Sequence, residues 1–106
     1  MGLDMYLKES AFDGTLAYWR KHPNLHGFIV QNYANGVDEC QKIELTLDNV
    51  KEILQACESD NLPTTTGFFF GQSSIEDKEH TVDVFSKLVD VMSDDPNYKV
   101  YYRASW

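Results

Sequence analysis

Positive charge is scarce in this chain. Nine Lys and Arg stand against 17 Asp and Glu in 106 residues, a formal net charge of −8. That balance argues against non-specific binding to nucleic acid or to an anionic membrane, since both need a basic patch. The acids cluster only at Glu76-Asp77-Lys78-Glu79 and Asp94-Asp95, too sparsely to point to a nucleic-acid mimic, so their plain role is solubility. Cysteine is nearly missing too. Cys40 and Cys57, with no CxxC spacing, give neither a disulfide framework nor a zinc signature and read as reduced thiols of a cytosolic protein. No apolar run approaches the ~18 residues that would span a bilayer. The N-terminus has no basic stretch followed by an apolar one, and Met1-Gly2 is followed by Tyr6 where myristoylation wants Ser or Thr, so no membrane association is expected. Repeats, low-complexity segments and charged tails are absent, and one domain over residues 1–106 is expected.

The most informative segment present is Leu62-Pro63-Thr64-Thr65-Thr66-Gly67-Phe68-Phe69-Phe70-Gly71. Three phenylalanines between glycines are too apolar for water and read as a buried strand, entered by a polar loop. Leu3, Met5 and Leu7 alternate with Asp4, Tyr6 and Lys8, a half-buried opening strand closed by the turn Phe12-Asp13-Gly14. Leu16 to Arg20 reads as a short helix interrupted by Pro23, and Leu25, Phe28, Ile29 and Tyr33 share the face of a second helical stretch, so a first helix kinked at Pro23 is expected. Asn35-Gly36 is its stop. Gln41 to Leu45 alternates as a strand, and Thr46 caps a helix whose stripe is Leu47, Val50, Ile53, Leu54 and Cys57. Ser73 or Ser74 caps the next, with Val82, Phe85, Leu88, Val89 and Met92 inward. Asp94-Asp95-Pro96-Asn97 breaks it, and Tyr98 to Ala104 closes the chain as a strand. The expected fold is α+β: a two-layer sandwich, about four strands in a mixed or antiparallel sheet, with three helices on one face.

Chemistry is thinly written. His22 and His26 are four apart, but Pro23 spoils a shared helix face and no carboxylate supplies a third ligand, so solvated or capping histidines are expected rather than a metal site. Arg20-Lys21-His22, beside Tyr18 and Trp19, is the one cationic cluster and could hold a phosphate or stack on a base. Cys40 has no adjacent basic residue to activate it, and Cys57 lies on an apolar stripe. Thr64-Thr65-Thr66-Gly67 could offer hydroxyls and amides to an anion, yet it lacks the Lys of a phosphate-cradling loop and leads into a strand. No nucleophilic triad, paired-carboxylate signature or dinucleotide fingerprint stands out, and no cofactor is expected.

Six segments occur here in one order: Met1-Gly2-Leu3-Asp4-Met5-Tyr6-Leu7, Tyr18-Trp19-Arg20-Lys21, Leu25-His26 with Phe28, Asn35-Gly36-Val37-Asp38, Leu62-Pro63-Thr64 with Gly67-Phe68-Phe69-Phe70-Gly71, and the closing Tyr101 to Trp106. In these the chain resembles a family of small uncharacterised bacteriophage and prophage proteins. It departs from the family at Gln72-Ser73-Ser74-Ile75, where members often carry aromatic and acidic residues. The resemblance implies a phage or prophage origin and the cytoplasm of a bacterial host, and it implies no particular activity. Two roles follow as expectations. The first is a non-catalytic protein that binds a host protein, for takeover or against a defence system, through Tyr6, Tyr101, Arg103 and Trp106. The second is a small-molecule or nucleotide-binding protein with an anion pocket of Arg20, Lys21, His26, Asn35, Asp38, Thr64 and Thr66. A homodimer is a third, accessory, expectation.

Overall fold

A computed structural model describes residues 3–62 and 74–106. The opening alternation forms β1 (Asp4–Glu9), which turns the fully buried Met5 and Leu7 inward and Asp4, Tyr6 and Lys8 outward. The chain reverses at once. Glu9 N–H donates to the Gly14 carbonyl at 2.8 Å, Asp13 takes a φ of 54°, and β2 (Thr15–Arg20) returns antiparallel to β1. Leu16 to Arg20 is thus a strand, which corrects the expected helix there. Buried Ala17 and Trp19 alternate with exposed Tyr18 and Arg20, a period of two. Six residues are marginal for a helix, whereas pairing along β1 satisfies their backbone and lays Trp19 beside Met5.

The kinked first helix falls with that correction. Lys21, at φ 60°, makes the corner, and α1 (Pro23–Tyr33) begins at the proline that had been read as an interruption. Pro suits a first helical position, where an N–H needs no partner within the helix. His22 and His26 are both 2% exposed, not solvated: His26 lies against Tyr102 of the sheet, and His22, at the corner before α1, lies near Asp77 and His80. The helix ends as expected: Asn35 and Gly36 take φ of 54° and 75°, and Gly36 N–H donates to the Val30 carbonyl at 3.0 Å.

The short β3 (Ile43–Leu45) leads into α2 (Leu47–Glu58), and α3 (Ile75–Asp94) precedes β4 (Val100–Ser105). Both helices open with reciprocal caps, Thr46 with Asn49 and Ser74 with Asp77. Each cap satisfies donors the helix leaves unpaired, and the acids of the first turn face a positive dipole end. α2 buries Val50, Ile53 and Cys57, and α3 buries Thr81, Phe85, Leu88 and Met92. Val82 and Val89, expected inward, are half-buried.

The sheet runs β2-β1-β4-β3 and is antiparallel throughout. Its two central strands come from opposite ends of the chain, with Asp4 opposite Ser105. One face, carrying Met5, Leu7, Ala17, Trp19, Ile43, Leu45, Val100, Tyr102 and Ala104, shares a core with the three helices. The strand expected at Gly67 to Gly71, and Thr64 and Thr66 before it, lie outside the described residues.

Candidate functional site

Strand alternation decides what the second face of the sheet presents. The core face takes the odd residues of β1 and β2 and the even residues of β4. The other face therefore gathers Asp4, Tyr6, Lys8, Tyr18, Arg20, Tyr101 and Arg103. Across it Arg20 aligns with Asp4 and Ser105, Tyr18 with Tyr6 and Arg103, and Lys8 with Tyr101 and Glu44. Among the described residues no helix covers these side chains, and Tyr18 is 43% exposed. The Tyr6 and Tyr18 rings lie 5.2 Å apart and tilted, and the Lys8 ammonium sits 5.8 Å from the Tyr6 ring centre. Tyr18 O–H donates to Asp4 at 2.6 Å, and this bond to a carboxylate holds its hydroxyl above the ordinary phenol range.

Tyr101 shares this face but is 6% exposed, a correction to its expected outward display. Its O–H donates to Asp13 at 2.6 Å, and the Lys42 ammonium lies 4.8 Å from its ring centre. The β1–β2 turn and Lys42 thus close over one end of the face. The Tyr101 bond, helped by Lys42, holds the Asp13 carboxyl below its usual range, and the same bond raises the Tyr101 hydroxyl.

A second cluster lies where β4 ends. Asp38 binds two partners: Trp106 Nε1 donates to Oδ1 at 3.1 Å, and His26 Nε2 meets Oδ2 at 2.9 Å. A carboxylate only accepts, so Nε2 carries the hydrogen, and Nδ1 is hydrogen-bonded to the Tyr102 hydroxyl at 2.6 Å. Burial, with the nearby Asp38 and Cys40 charges, pushes the Tyr102 hydroxyl well above the ordinary phenol range. Arg103 Nε donates to the Cys40 carbonyl at 3.1 Å, and Cys40 holds a φ of 58°. Together these bonds fasten residues 38–40 to α1 and to the end of β4. His26 and Tyr102 are 2% and 1% exposed, so the Asp38–His26–Tyr102 chain is a buried brace with no open approach to Tyr102.

The residues singled out in the sequence therefore divide. Tyr6, Arg20 and Arg103 share the open face, whereas Trp106 follows β4 and is tied to Asp38 in the second cluster. His26 and Asp38 meet, as part of the brace. Lys21 is exposed at the corner before α1, and Asn35 is exposed at the helix stop. Tyr18 and Tyr102 were missed. Tyr18 followed from reading its segment as helix, and Tyr102 carried a usable signal: an inward Tyr needs a partner for its hydroxyl. Among the described residues no three of His, Cys, Asp and Glu stand close enough to share a metal ion, and no helix is long and apolar enough to cross a membrane. No protein-family model, curated protein or solved structure matches the chain.

Proposed function

We propose that this is a non-catalytic binding protein of phage type that engages a host protein through the open face of its sheet. One observation carries the reading. Four of the nine cations, Lys8, Arg20, Lys42 and Arg103, gather around Tyr6, Tyr18 and Tyr101 on one face of a chain whose net charge is −8. Tyr and Arg are the residues that most often anchor protein interfaces, and the four cations outnumber Asp4, Asp13 and Glu44 on the same face of a chain that is acidic as a whole. The partner surface that fits it is acidic. The phage or prophage sequences that the chain resembles support a host protein as that partner.

The anion-pocket alternative gains no comparable support. It needs His26 to meet a ligand, yet that ring is buried with both nitrogens engaged inside the protein. The test is native mass spectrometry of the tagged protein drawn gently from host lysate, beside Tyr18→Asp and Arg103→Glu. A stoichiometric host protein that both variants lose, with their circular dichroism unchanged, supports the reading. A partner retained by both variants, or a small mass lost on Arg20→Ala, overturns it.

A further inference from the structure

One cation of the open sheet face is held in place. Arg103 is exposed and aligns with Tyr6 of β1 on one side. Its Nε donates to the Cys40 carbonyl at 3.1 Å, so the side chain leans the other way, toward the chain that enters β3. That bond leaves the Nη1 and Nη2 ends of the guanidinium without a protein acceptor among the described residues. A planar fork fixed at its root and open at its tip is the shape that grips a carboxylate through two parallel bonds.

The carbonyl that holds it is itself tied down. Gln41 bridges its own loop: Nε2 donates to the Val37 carbonyl at 2.7 Å, and Oε1 accepts the Glu39 N–H at 2.8 Å. Asp38 is bound to His26 and Trp106. Between these ties Cys40 keeps a φ of 58°, a conformation that is costly for a residue with a side chain and persists only where its surroundings impose it. The Asp38 brace therefore reaches the sheet face through the Cys40 carbonyl.

A second cation stands beside the fork. Ile43 pairs with Tyr102 and Glu44 with Tyr101, so one step further along the register Lys42 falls opposite Arg103. Lys42 turns to the open face too, with its ammonium 4.8 Å from the Tyr101 ring centre. Like charges set opposite one another on paired strands repel. Asp13 lies within electrostatic reach of Lys42, but its carboxylate accepts the Tyr101 O–H. Neither Arg103 nor Lys42 forms an ion pair with Asp13, Glu39, Glu44 or any other carboxylate among the described residues. An acid from outside the chain would relieve the repulsion.

We infer that Arg103 is the specificity-determining anchor of the sheet face, and that the group it takes is an Asp or Glu side chain of the partner. Nη1 and Nη2 hold the carboxylate, Lys42 adds a second charge, and Asp38 is a positioning residue that acts through Cys40. This role rests on the proposed reading of the sheet face as the surface that binds a host protein. Because the fork is set in advance, little freedom is lost when the acid arrives.

The test is an NMR titration of the isotope-labelled full chain with a blocked hexaglutamate peptide. The Arg103 Nε–H signal should shift as the peptide is added. Arg103→Lys keeps the charge but gives up the fork, and should weaken binding by about fivefold or more. Asp38→Asn removes a negative charge, yet it should weaken binding by a similar factor in the parent and by nothing further in the Arg103→Lys chain. Arg103 is exposed, so Arg103→Lys should keep the fold. Equal affinity of the parent and Arg103→Lys would overturn the assignment. So would an equal loss from Asp38→Asn in both backgrounds, which would mean a purely structural effect. Capture from host lysate separates this role from the reading beneath it. A host protein held as well by Arg103→Lys as by the parent, but lost by Tyr18→Asp, refutes the anchor and leaves the binding face standing. No captured host protein at all strikes the reading of the face, and the anchor's role with it.

Discussion

At the scale of single residues, His22 is buried at the corner between β2 and α1, near Asp77 and His80 of α3, and it carries a pH prediction. Burial lowers its ring pKa from 6.5 to about 4. Between those values the unfolded chain binds a proton that the folded chain refuses, so stability is full above pH 6.5 and falls as the pH drops toward 4. The loss should reach roughly 3 kcal/mol. Carboxylates titrate in the same range, so the measurement is a difference: urea unfolding of the parent and of His22→Gln across that window. The parent should lose more stability on acidification than the variant, and parallel curves would refute the assignment. Tyr102→Phe tests the brace. Removing a hydroxyl that is hydrogen-bonded to a buried ring nitrogen should cost about 1–3 kcal/mol, read by urea unfolding at neutral pH.

At the scale of elements, legibility followed the kind of signal. The two capped helices were readable because a cap is local. Thr46 and Asn49, or Ser74 and Asp77, find each other within one turn whatever the rest of the chain does. The strand β2 was misread because Leu16 and Ala17 are good helix formers and Pro23 was taken to cut a helix short, and only pairing with β1 decides the matter. A usable sign was present in Asp13-Gly14, a turn that favours a hairpin between flanking strands. Thr46→Ala and Ser74→Ala should each cost about 1 kcal/mol. The two caps are local to separate helices, and the double variant should lose the sum, by thermal or urea unfolding. A cost well below this for Ser74→Ala would mean that the first turn of α3 is held by something other than its cap.

At the scale of the whole molecule, a net charge of −8 describes how much charge there is and not where it lies. Class and layering followed from the order of elements, but strand order did not, since the pairing of β1 with β4 joins residues about a hundred positions apart and no local pattern encodes it. That pairing is also what sets Tyr6 beside Arg103 and gives the chain a face relatively rich in cations. That face then carries a prediction of its own. Arg103→Glu reverses a charge at the middle of the sheet face and also gives up the bond to the Cys40 carbonyl, so it should cost about 1 kcal/mol of stability. It should weaken capture of an acidic host partner by tenfold or more, with the parent's binding falling as salt rises, because close charges are screened.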